Sequence, residues 1–309
     1  MSSNLRLEDF ITLRDKTREE FELLLDKAEE MEKYRKDGTD LARGKVMGTL
    51  FFEPSTRTRL SFDTAMKRLG GDSIGFSSQE GSSVEKGETL ADTVRVVSNY
   101  ADILVMRHPS EGSAKMASDY CDIPIVNGGD GSANHPTQTL LDLYTIRKEL
   151  GKIDGTTVAL AGDLRYSRTT RSLARALTRY EIDLMLVSPP QLQMKPDLLY
   201  ELKQQGMKPT VTEDLEETVR RADVLYATRI QKERFPDPVE YEKVAGSYEI
   251  TRDLLTETDG GTPLVMHPLP RVNEIKPDVD GLEQAIYFDQ AGNGVPVRMA
   301  LLALLLKLV

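Results

Sequence analysis

Hydroxyl and guanidinium side chains alternate in one segment of this chain, Ser55-Thr56-Arg57-Thr58-Arg59, directly after an apolar run. The run, residues 45–52, is typical of a buried strand. Apolar residues then recur at helical spacing until Gly70-Gly71 ends the pattern; they are Leu60, Ala65, Met66 and Leu69. The segment is therefore predicted to join the carboxyl end of a strand to the first turn of a helix.

Such a junction can bind an anion. The hydroxyls of Ser55, Thr56 and Thr58, the free N–H groups of the first turn and the positive end of the helix dipole would converge on one point, where Arg57 could hold two oxygens at once. An ordinary helix cap followed by a solvated basic turn is the alternative, and it would be preferred for a lone Ser-Thr pair. Two arginines interleaved with three hydroxyls favour a phosphate site instead.

Three more side chains are candidates for the same site. Arg107 follows the apolar run 103–106, which puts its guanidinium at the sheet edge where Arg57 is expected. An edge arginine paired with a surface carboxylate is an equally good interpretation of Arg107 alone. His135 precedes Pro136, a residue favoured in the first turn of a helix, and Gln138 follows one turn later on the same side. A lone His-Pro pair would more often be a helix start only.

The elements that position these residues alternate between strand-like and helical runs. Strands are predicted at 46–52, 74–76, 103–106 and 123–126, and, after a helix over 135–150, at 158–161, 184–187, 224–227 and 264–266. This pattern predicts an α/β fold with two domains, each a mainly parallel sheet flanked by helices, with ligands at the carboxyl ends of the strands. We place the domain boundary in the glycine-rich stretch 128–133, giving domains 1–134 and 135–292. Gly292-Asn293-Gly294 is predicted to break the periodicity before a final apolar helix at 299–309.

Composition excludes several classes of protein. The chain has 309 residues, 39% of them apolar, and a formal net charge of −10, which disfavours a general nucleic-acid binder. Cys121 is the only cysteine, so an intrachain disulfide is excluded and a reducing cytoplasm is expected. We find no secretory signal and no apolar segment long enough to span a bilayer. The histidines, His108, His135 and His267, lie far apart, and their spacing does not support a zinc site.

Several motifs in order along the chain resemble the carbamoyltransferase family, and most closely its aspartate-using catalytic chains. Besides the 51–59 segment they are Lys86-Gly87-Glu88-Thr89-Leu90-Ala91-Asp92-Thr93, His135-Pro136-Thr137-Gln138, Gly162-Asp163-Leu164-Arg165-Tyr166-Ser167-Arg168-Thr169, Thr228-Arg229-Ile230-Gln231-Lys232-Glu233-Arg234 and His267-Pro268-Leu269-Pro270-Arg271. The resemblance runs essentially end to end. It implies transfer of the carbamoyl group from carbamoyl phosphate to L-aspartate, an early step of pyrimidine biosynthesis, without cofactor or metal.

The resemblance also implies a role for each matching residue. Carbamoyl phosphate would be bound by Ser55, Thr56, Arg57, Thr58, Arg107, His135 and Gln138, with Ser82, Lys86, Leu269 and Pro270. The residues expected to act in catalysis are Arg57, Thr58, Lys86, Arg107 and His135. L-aspartate would be bound by Lys86, Arg168, Arg229, Gln231 and Leu269. Domain closure would use Glu53, Arg165 and Arg234, and the last helix, 293–309, would cross back to the first domain.

The polar loop that holds Ser82 and Lys86 implies an assembly. In the resembling family this loop enters the active site of a neighbouring subunit, so a homotrimer with shared sites is expected, and a separate regulatory chain is possible. Without the family, a flexible solvent loop would be the preferred interpretation. Asn273, where an aspartate is common, and Glu85, beside Lys86, depart from the family pattern outside the expected substrate contacts.

Three other functions fit these residues less well. An ornithine-using relative shares the phosphate motif, but its His-Cys-Leu-Pro stretch is His267-Pro268-Leu269-Pro270 here, and Arg229 with Gln231 favours a dicarboxylate acceptor. A noncatalytic paralogue acting as a scaffold would need a lost catalytic side chain, and none is missing. A nicotinamide enzyme is rejected because the Gly162-Asp163 turn lacks the spaced glycines of a dinucleotide fingerprint.

Overall fold

The computed structural model describes residues 8–78, 83–131, 134–230, 241, 244, 246, 248–257 and 261–309. The chain forms two compact units, one of Met1–Tyr144 with Asn293–Val309 and the other of Thr145–Gly292. The first division falls after Tyr144, inside a helix, rather than in the glycine-rich stretch that precedes this helix. The predicted return of the C-terminal helix to the first unit is confirmed.

Four parallel strands form the sheet of the first unit, and their bounds are close to those predicted. They are β1 Val46–Phe51, β2 Asp72–Phe76, β3 Ile103–His108 and β4 Ile125–Asp130, in the order β2-β1-β3-β4. β1 and β3 are central and mostly buried, which is why both are nearly continuous apolar runs. Their register pairs Phe51 with Arg107. The segment that follows β1 therefore begins level with the Arg107 side chain.

The helices associated with this sheet are α1 Arg18–Glu32, α2 Thr56–Arg68, α3 Leu90–Ser98, α4 Ser113–Ser118 and α5 Pro136–Leu150. α1 begins with a capping box, in which Thr17 and Glu20 each accept a hydrogen bond from the backbone N–H of the other. α2 begins and ends where the sequence predicts, but Leu60 is 52% exposed and does not belong to the buried face. That face is formed by Thr58, Phe62, Ala65 and Met66.

Five parallel strands form the sheet of the second unit. They are β5 Thr157–Gly162, β6 Asp183–Val187, β7 Thr210–Thr212, β8 Val224–Thr228 and β9 Leu264–Met266, in the order β7-β6-β5-β8-β9. The described helices of this unit are α6 Arg168–Leu177, α7 Pro196–Gln204, α8 Leu215–Arg221 and α9 Arg252–Thr256. β7 was not predicted, because this edge strand has only three residues and they are largely exposed. The α/β fold class with two parallel sheets is confirmed.

The prediction that Gly292-Asn293-Gly294 interrupts the helical periodicity is wrong. One helix, α10, runs without interruption from Tyr287 to Leu305 and contains these residues and Pro296. A Cβ added at Gly294 would lie 2.1 Å from Nη1 of Arg298, so the glycine makes room for a neighbouring side chain. Tertiary packing of a buried helix thus outweighs the low helix propensity of glycine and proline. Among the described residues, no helix combines the length and the apolar character that crossing a bilayer requires.

Candidate active site

The junction of β1 and α2 has the geometry of an anion site. Ser55 occupies the N-cap position with extended backbone, φ −156° and ψ 95°, and its hydroxyl makes no capping hydrogen bond. The first turn of α2 contains no acidic residue that would neutralise the positive end of the helix. Thr56 and Arg57 are exposed there. The hydroxyl of Ser55 and the first-turn N–H groups would meet an anion bound here, and their part in a phosphate site stays a prediction.

The guanidiniums of Arg57 and Arg107, both in the first unit, are close enough for their positive charges to repel each other. Partial burial lowers the pKa of Arg57, and the like charge of Arg107 lowers it further. Burial also lowers the pKa of Arg107, while the nearby carboxylate of Glu53 opposes that shift. The Arg107 Nε donates to Glu53 Oε1 at 2.7 Å, whereas its Nη1 makes only a long contact, 3.5 Å, with the Gly128 carbonyl. An incoming anion would relieve both the repulsion and the cost of burial.

His135 and Thr58 lie beside each other in the same unit. Nε2 of His135 is 3.5 Å from Oγ1 of Thr58, and each residue is only 6% exposed. His135 immediately precedes α5, with Pro136 as the first helical residue, as the sequence predicts. Gln138, in the first turn of α5, donates from Nε2 to Oδ1 of the buried Asp142 at 2.9 Å. The first unit therefore offers paired cations, hydroxyls, an imidazole and an amide, a donor set suited to a phosphorylated small molecule with a carbonyl group.

In the second unit, Arg168 and Arg229 are positioned by contacts at the carboxyl ends of β5 and β8. Arg168 is the first residue of α6, whose N-cap, Ser167, accepts a hydrogen bond from the Thr228 hydroxyl at 3.3 Å. Thr228 ends β8 directly before Arg229. Gly162, at the end of β5, has φ 105°, and a Cβ there would lie 2.3 Å from the Thr228 carbonyl oxygen. Glycine thus permits the close approach that puts both arginines at one edge of this sheet.

The loop after β9 is held by two side chains, the buried His267 and the partly buried Glu274. Leu269 has φ 54°, in the left-handed region that a leucine rarely adopts, and its N–H donates to Nδ1 of His267 at 2.8 Å. Nδ1 is therefore unprotonated, and the imidazole proton is on Nε2, which lies 2.8 Å from Glu274 Oε1. Neither of these two atoms has a hydrogen-bond partner elsewhere in the described part of the chain. The backbone N–H groups of Val272 and Asn273 donate to the other oxygen of Glu274 at 3.1 Å.

Contact with the imidazole and these backbone donors lowers the pKa of Glu274 despite its burial, which acts in the opposite direction. The glutamate is therefore ionised near neutral pH and fixes the loop that presents Leu269 and Pro270. Close by in the second unit is a cavity of about 310 Å³ lined by Arg229, Tyr248, Asn273 and Glu274 among others. Burial raises the pKa of Tyr248 to about 12, so its phenol stays neutral. Its hydroxyl donates to the Glu213 carbonyl at 2.9 Å.

The remaining predicted residues are placed as follows. Lys86 is exposed at the end of a 3-10 turn, Ser83–Lys86, and forms no hydrogen bond or ion pair with any side chain that the structure describes. Arg165 is exposed, with its guanidinium 5.7 Å from the centre of the Tyr166 ring. Ser82, Gln231 and Arg234 lie outside the described residues. The first unit contains the phosphate-site candidates Ser55–Thr58, Arg107, His135 and Gln138, and the second contains Leu269 and Pro270 with the carboxylate-clamp candidates Arg168 and Arg229. In the described ranges, no three His, Cys, Asp or Glu side chains are grouped as metal ligands.

Sequence reasoning missed one carboxylate in each unit: Asp142 in the first, which is a partner of Gln138, and Glu274 in the second, which is a partner of His267. Asp142 follows Gln138 by four residues in a predicted helix, a spacing that brings side chains together, so this pair could have been found. The contact between Glu274 and His267 depends on the path of an irregular loop. No periodic signal in the sequence indicates it.

Comparison with known proteins agrees with this arrangement. Residues 8–148 match the aspartate/ornithine carbamoyltransferase carbamoyl-P binding domain, and residues 154–305 match the Asp/Orn binding domain of the same family. The aspartate carbamoyltransferase catalytic subunit of Thermococcus kodakarensis is 55% identical over 300 residues, which cover 96% of each chain.

Two solved structures have the same fold over almost the whole chain. The catalytic subunit of M. jannaschii aspartate transcarbamoylase is 52% identical, with a TM-score of 0.91 and coverage of 97% of this chain and 98% of the other. Aspartate transcarbamoylase from Trypanosoma cruzi in complex with carbamoyl phosphate and aspartate is 40% identical, with a TM-score of 0.89 and coverage of 96% of both chains. With both domains matched in order and relatives more than half identical, the chain belongs to the aspartate/ornithine carbamoyltransferase family.

Proposed function

We propose that this chain transfers the carbamoyl group of carbamoyl phosphate to the amino group of L-aspartate, giving N-carbamoyl-L-aspartate and phosphate. The observation that carries the proposal is the pair of guanidiniums where β1 meets α2: Arg57 is in the first turn of α2, Arg107 is level with the end of β1, and the charge of Arg107 adds to the partial burial that lowers the pKa of Arg57. A phosphate dianion there would stabilise both cations and accept hydrogen bonds from the hydroxyls of Ser55, Thr56 and Thr58.

The reaction needs charge stabilisation at two places. As the aspartate nitrogen forms a bond to the carbonyl carbon, negative charge develops on the carbonyl oxygen, and the bond from that carbon to the phosphate oxygen then breaks. Thr58, Arg107 and His135 would donate to the carbonyl oxygen, and Gln138 would accept from the carbamoyl amino group. The proton lost by the attacking nitrogen goes to the leaving phosphate, so His135 acts as a donor and not as a base. This scheme uses no cofactor.

The second unit would bind L-aspartate. Arg168 and Arg229, both at the carboxyl edge of the β5–β9 sheet, are suited to its two carboxylates, because a guanidinium can hold a carboxylate through two hydrogen bonds. Gln231 and the Leu269 carbonyl would complete the site. The relatives support aspartate over ornithine as acceptor, since the T. cruzi structure holds carbamoyl phosphate together with aspartate.

A turnover assay tests the proposal directly. The purified chain is incubated with carbamoyl phosphate and either L-aspartate or L-ornithine, and carbamoyl aspartate and citrulline are quantified. We expect carbamoyl aspartate with aspartate and no citrulline with ornithine. Arg57→Ala should reduce turnover by about a hundredfold or more, the effect of removing one donor to transition-state charge. Asp119→Asn, a surface change in the same unit, is the control. Citrulline formation, or near-normal turnover in folded Arg57→Ala, would contradict the proposal.

We further propose a cytoplasmic homotrimer whose active sites are shared between subunits, to which a regulatory chain could bind. Lys86, exposed on its 3-10 turn, would enter the site of a neighbour together with Ser82. Each site would then combine Lys86 of one chain with Arg57 and Arg229 of another. This assignment makes a prediction about mixed trimers that a site within one chain does not share.

Subunit exchange tests it. Lys86→Ala and Arg57→Ala trimers should each be nearly inactive, but after dissociation and joint reassembly some interfaces pair an intact Lys86 with an intact Arg57. Activity should reappear in proportion to those interfaces. If fully exchanged hybrids, verified by charge separation, stay as inactive as their parents, the site is complete within one chain.

A further inference from the structure

Gln138 can face a ligand with either end of its amide, and the two ends have opposite hydrogen-bonding character. In the structure its Nε2 donates to Oδ1 of Asp142 at 2.9 Å. An ionised carboxylate only accepts hydrogen bonds, so Asp142 selects the NH₂ end of the amide. Oε1 is left for the ligand. An oxygen there can accept a hydrogen bond from an amino group but gains nothing from a methyl group.

Asp142 lies beside a second buried charge, the guanidinium of Arg298 in α10. Asp142 is 0% exposed and Arg298 is 3% exposed, and both belong to the first unit. Burial lowers the pKa of Arg298 to about 10, and the charge of Asp142 opposes this shift. Arg298 therefore remains a cation near neutral pH, and its field favours the carboxylate form of Asp142.

Arg298 itself has little room to move. Its guanidinium carbon lies 4.9 Å from the centre of the Phe62 ring, which is fully buried in α2. On another side is Gly294, where a Cβ would approach Nη1 to 2.1 Å. A glycine and an aromatic ring thus fit around the guanidinium. The guanidinium of Arg298 therefore packs on Phe62 in α2, the helix that bears Arg57. Its positive charge also attracts the carboxylate of Asp142 in α5, the helix that bears Gln138.

We propose that Asp142 and Arg298 are positioning residues that fix the Gln138 amide with its oxygen toward the ligand, so that the site selects the amino group of carbamoyl phosphate over the methyl group of acetyl phosphate. The inference rests on the proposed function, because it takes carbamoyl phosphate as the ligand of Gln138. It adds a source for the selectivity: a buried carboxylate that accepts a hydrogen bond from Gln138, and a buried guanidinium whose charge acts on that carboxylate.

Asp142→Asn tests the proposal, because asparagine has the shape of aspartate but can donate to Oε1 of Gln138 and so let its amide turn around. Dissociation constants for carbamoyl phosphate and acetyl phosphate are measured by calorimetry at low temperature, where the labile anhydrides last. The wild-type protein should prefer carbamoyl phosphate by about tenfold, the effect of one hydrogen bond. Asp142→Asn should lose that preference by weakening carbamoyl phosphate alone, while the surface variant Asp119→Asn should keep it.

Equal weakening of both ligands in Asp142→Asn, or an unchanged preference, would overturn the proposal. If the single variant does not fold because Arg298 is left buried without its carboxylate, the double variant Asp142→Asn with Arg298→Met removes both charges, and the same loss of preference is expected. A retained preference in the folded double variant would also overturn it. Failure of the proposed function is a separate result, since the wild-type protein would then bind neither acyl phosphate.

Discussion

Replacing Arg107 by glutamine should weaken both the stability of the protein and its affinity for phosphate, and a double variant should separate the two effects. The Arg107 and Glu53 side chains are 13% and 27% exposed, with Nε and Oε1 2.7 Å apart. At an effective dielectric constant of about 20, charges at this distance attract by about 6 kcal/mol before desolvation is subtracted. Lost hydration cancels most of that energy, so we expect a net coupling of about 2 kcal/mol.

Arg107→Gln should therefore lower the free energy of unfolding by about 2 kcal/mol, because the partly buried Glu53 loses its ion pair with Arg107. Adding Glu53→Gln removes that carboxylate and should recover at least half of the loss. Phosphate affinity should behave differently. Loss of one charge-assisted hydrogen bond, about 1.5–3 kcal/mol, should weaken binding of inorganic phosphate by about tenfold or more in both the single and the double variant.

The assays are urea unfolding at pH 7 in a phosphate-free buffer and calorimetric titration with inorganic phosphate, for the wild type, both single variants and the double variant. Stability changes that add within about 0.5 kcal/mol would refute the coupling between Glu53 and Arg107. Recovery of phosphate affinity in the double variant would refute the direct role of Arg107, because the guanidinium would then have acted only through the fold.

Three further outcomes are expected. Glu274→Gln should lower the free energy of unfolding at pH 7. Contact with His267 and backbone N–H groups lowers the pKa of this carboxyl below 4.5, so the stability advantage of the wild type is complete above pH 4.5 and should disappear as the pH falls further. Urea titrations at pH 7, 5 and 4 will test this. Gly294→Ala should lower the free energy of unfolding, measured in urea, by about 1–3 kcal/mol, because the added Cβ would collide with the confined Arg298. An increase in stability, as expected from the higher helix propensity of alanine alone, would contradict this. Arg229→Gln should raise the KM for aspartate at least tenfold and leave the dissociation constant of carbamoyl phosphate within about twofold; an equal loss of both would count against separate binding units.

The features that sequence predicted well have local causes. Thr17 and Glu20 form their capping box because both partners lie within one turn. Arg107 was placed beside the β1–α2 junction because parallel strands end at a common edge, and the register of Phe51 with Arg107 confirms this. The roles of the individual site residues, and the closing function of Glu53, Arg165 and Arg234, stay predictions.

The features that sequence missed depend on distant parts of the chain. Gly292 and Gly294 have the local preferences of a helix breaker, yet α10 continues through both, because packing of this buried helix outweighs those preferences. Leu60 fits the apolar spacing of α2, yet it is exposed, because a wide apolar stripe does not specify where the buried face ends. The Leu269 conformation depends on two side chains of an irregular loop, for which no periodicity exists.

The assignment of Asn293–Val309 to the same unit as Met1–Tyr144 has a consequence for biosynthesis. A ribosome releases the amino-terminal part of a chain first, and domains generally begin to fold in that order. Here the first unit cannot finish folding before the second has been made, because its buried Arg298 and the apolar side chains of the last helix turn follow residues 145–292 along the chain. Until residues 293–309 have emerged, the nascent unit exposes the apolar surface that this helix covers, and Asp142 lacks the buried charge of Arg298. A stop codon before residue 293 should therefore yield an aggregation-prone fragment, although every strand of both sheets has been translated.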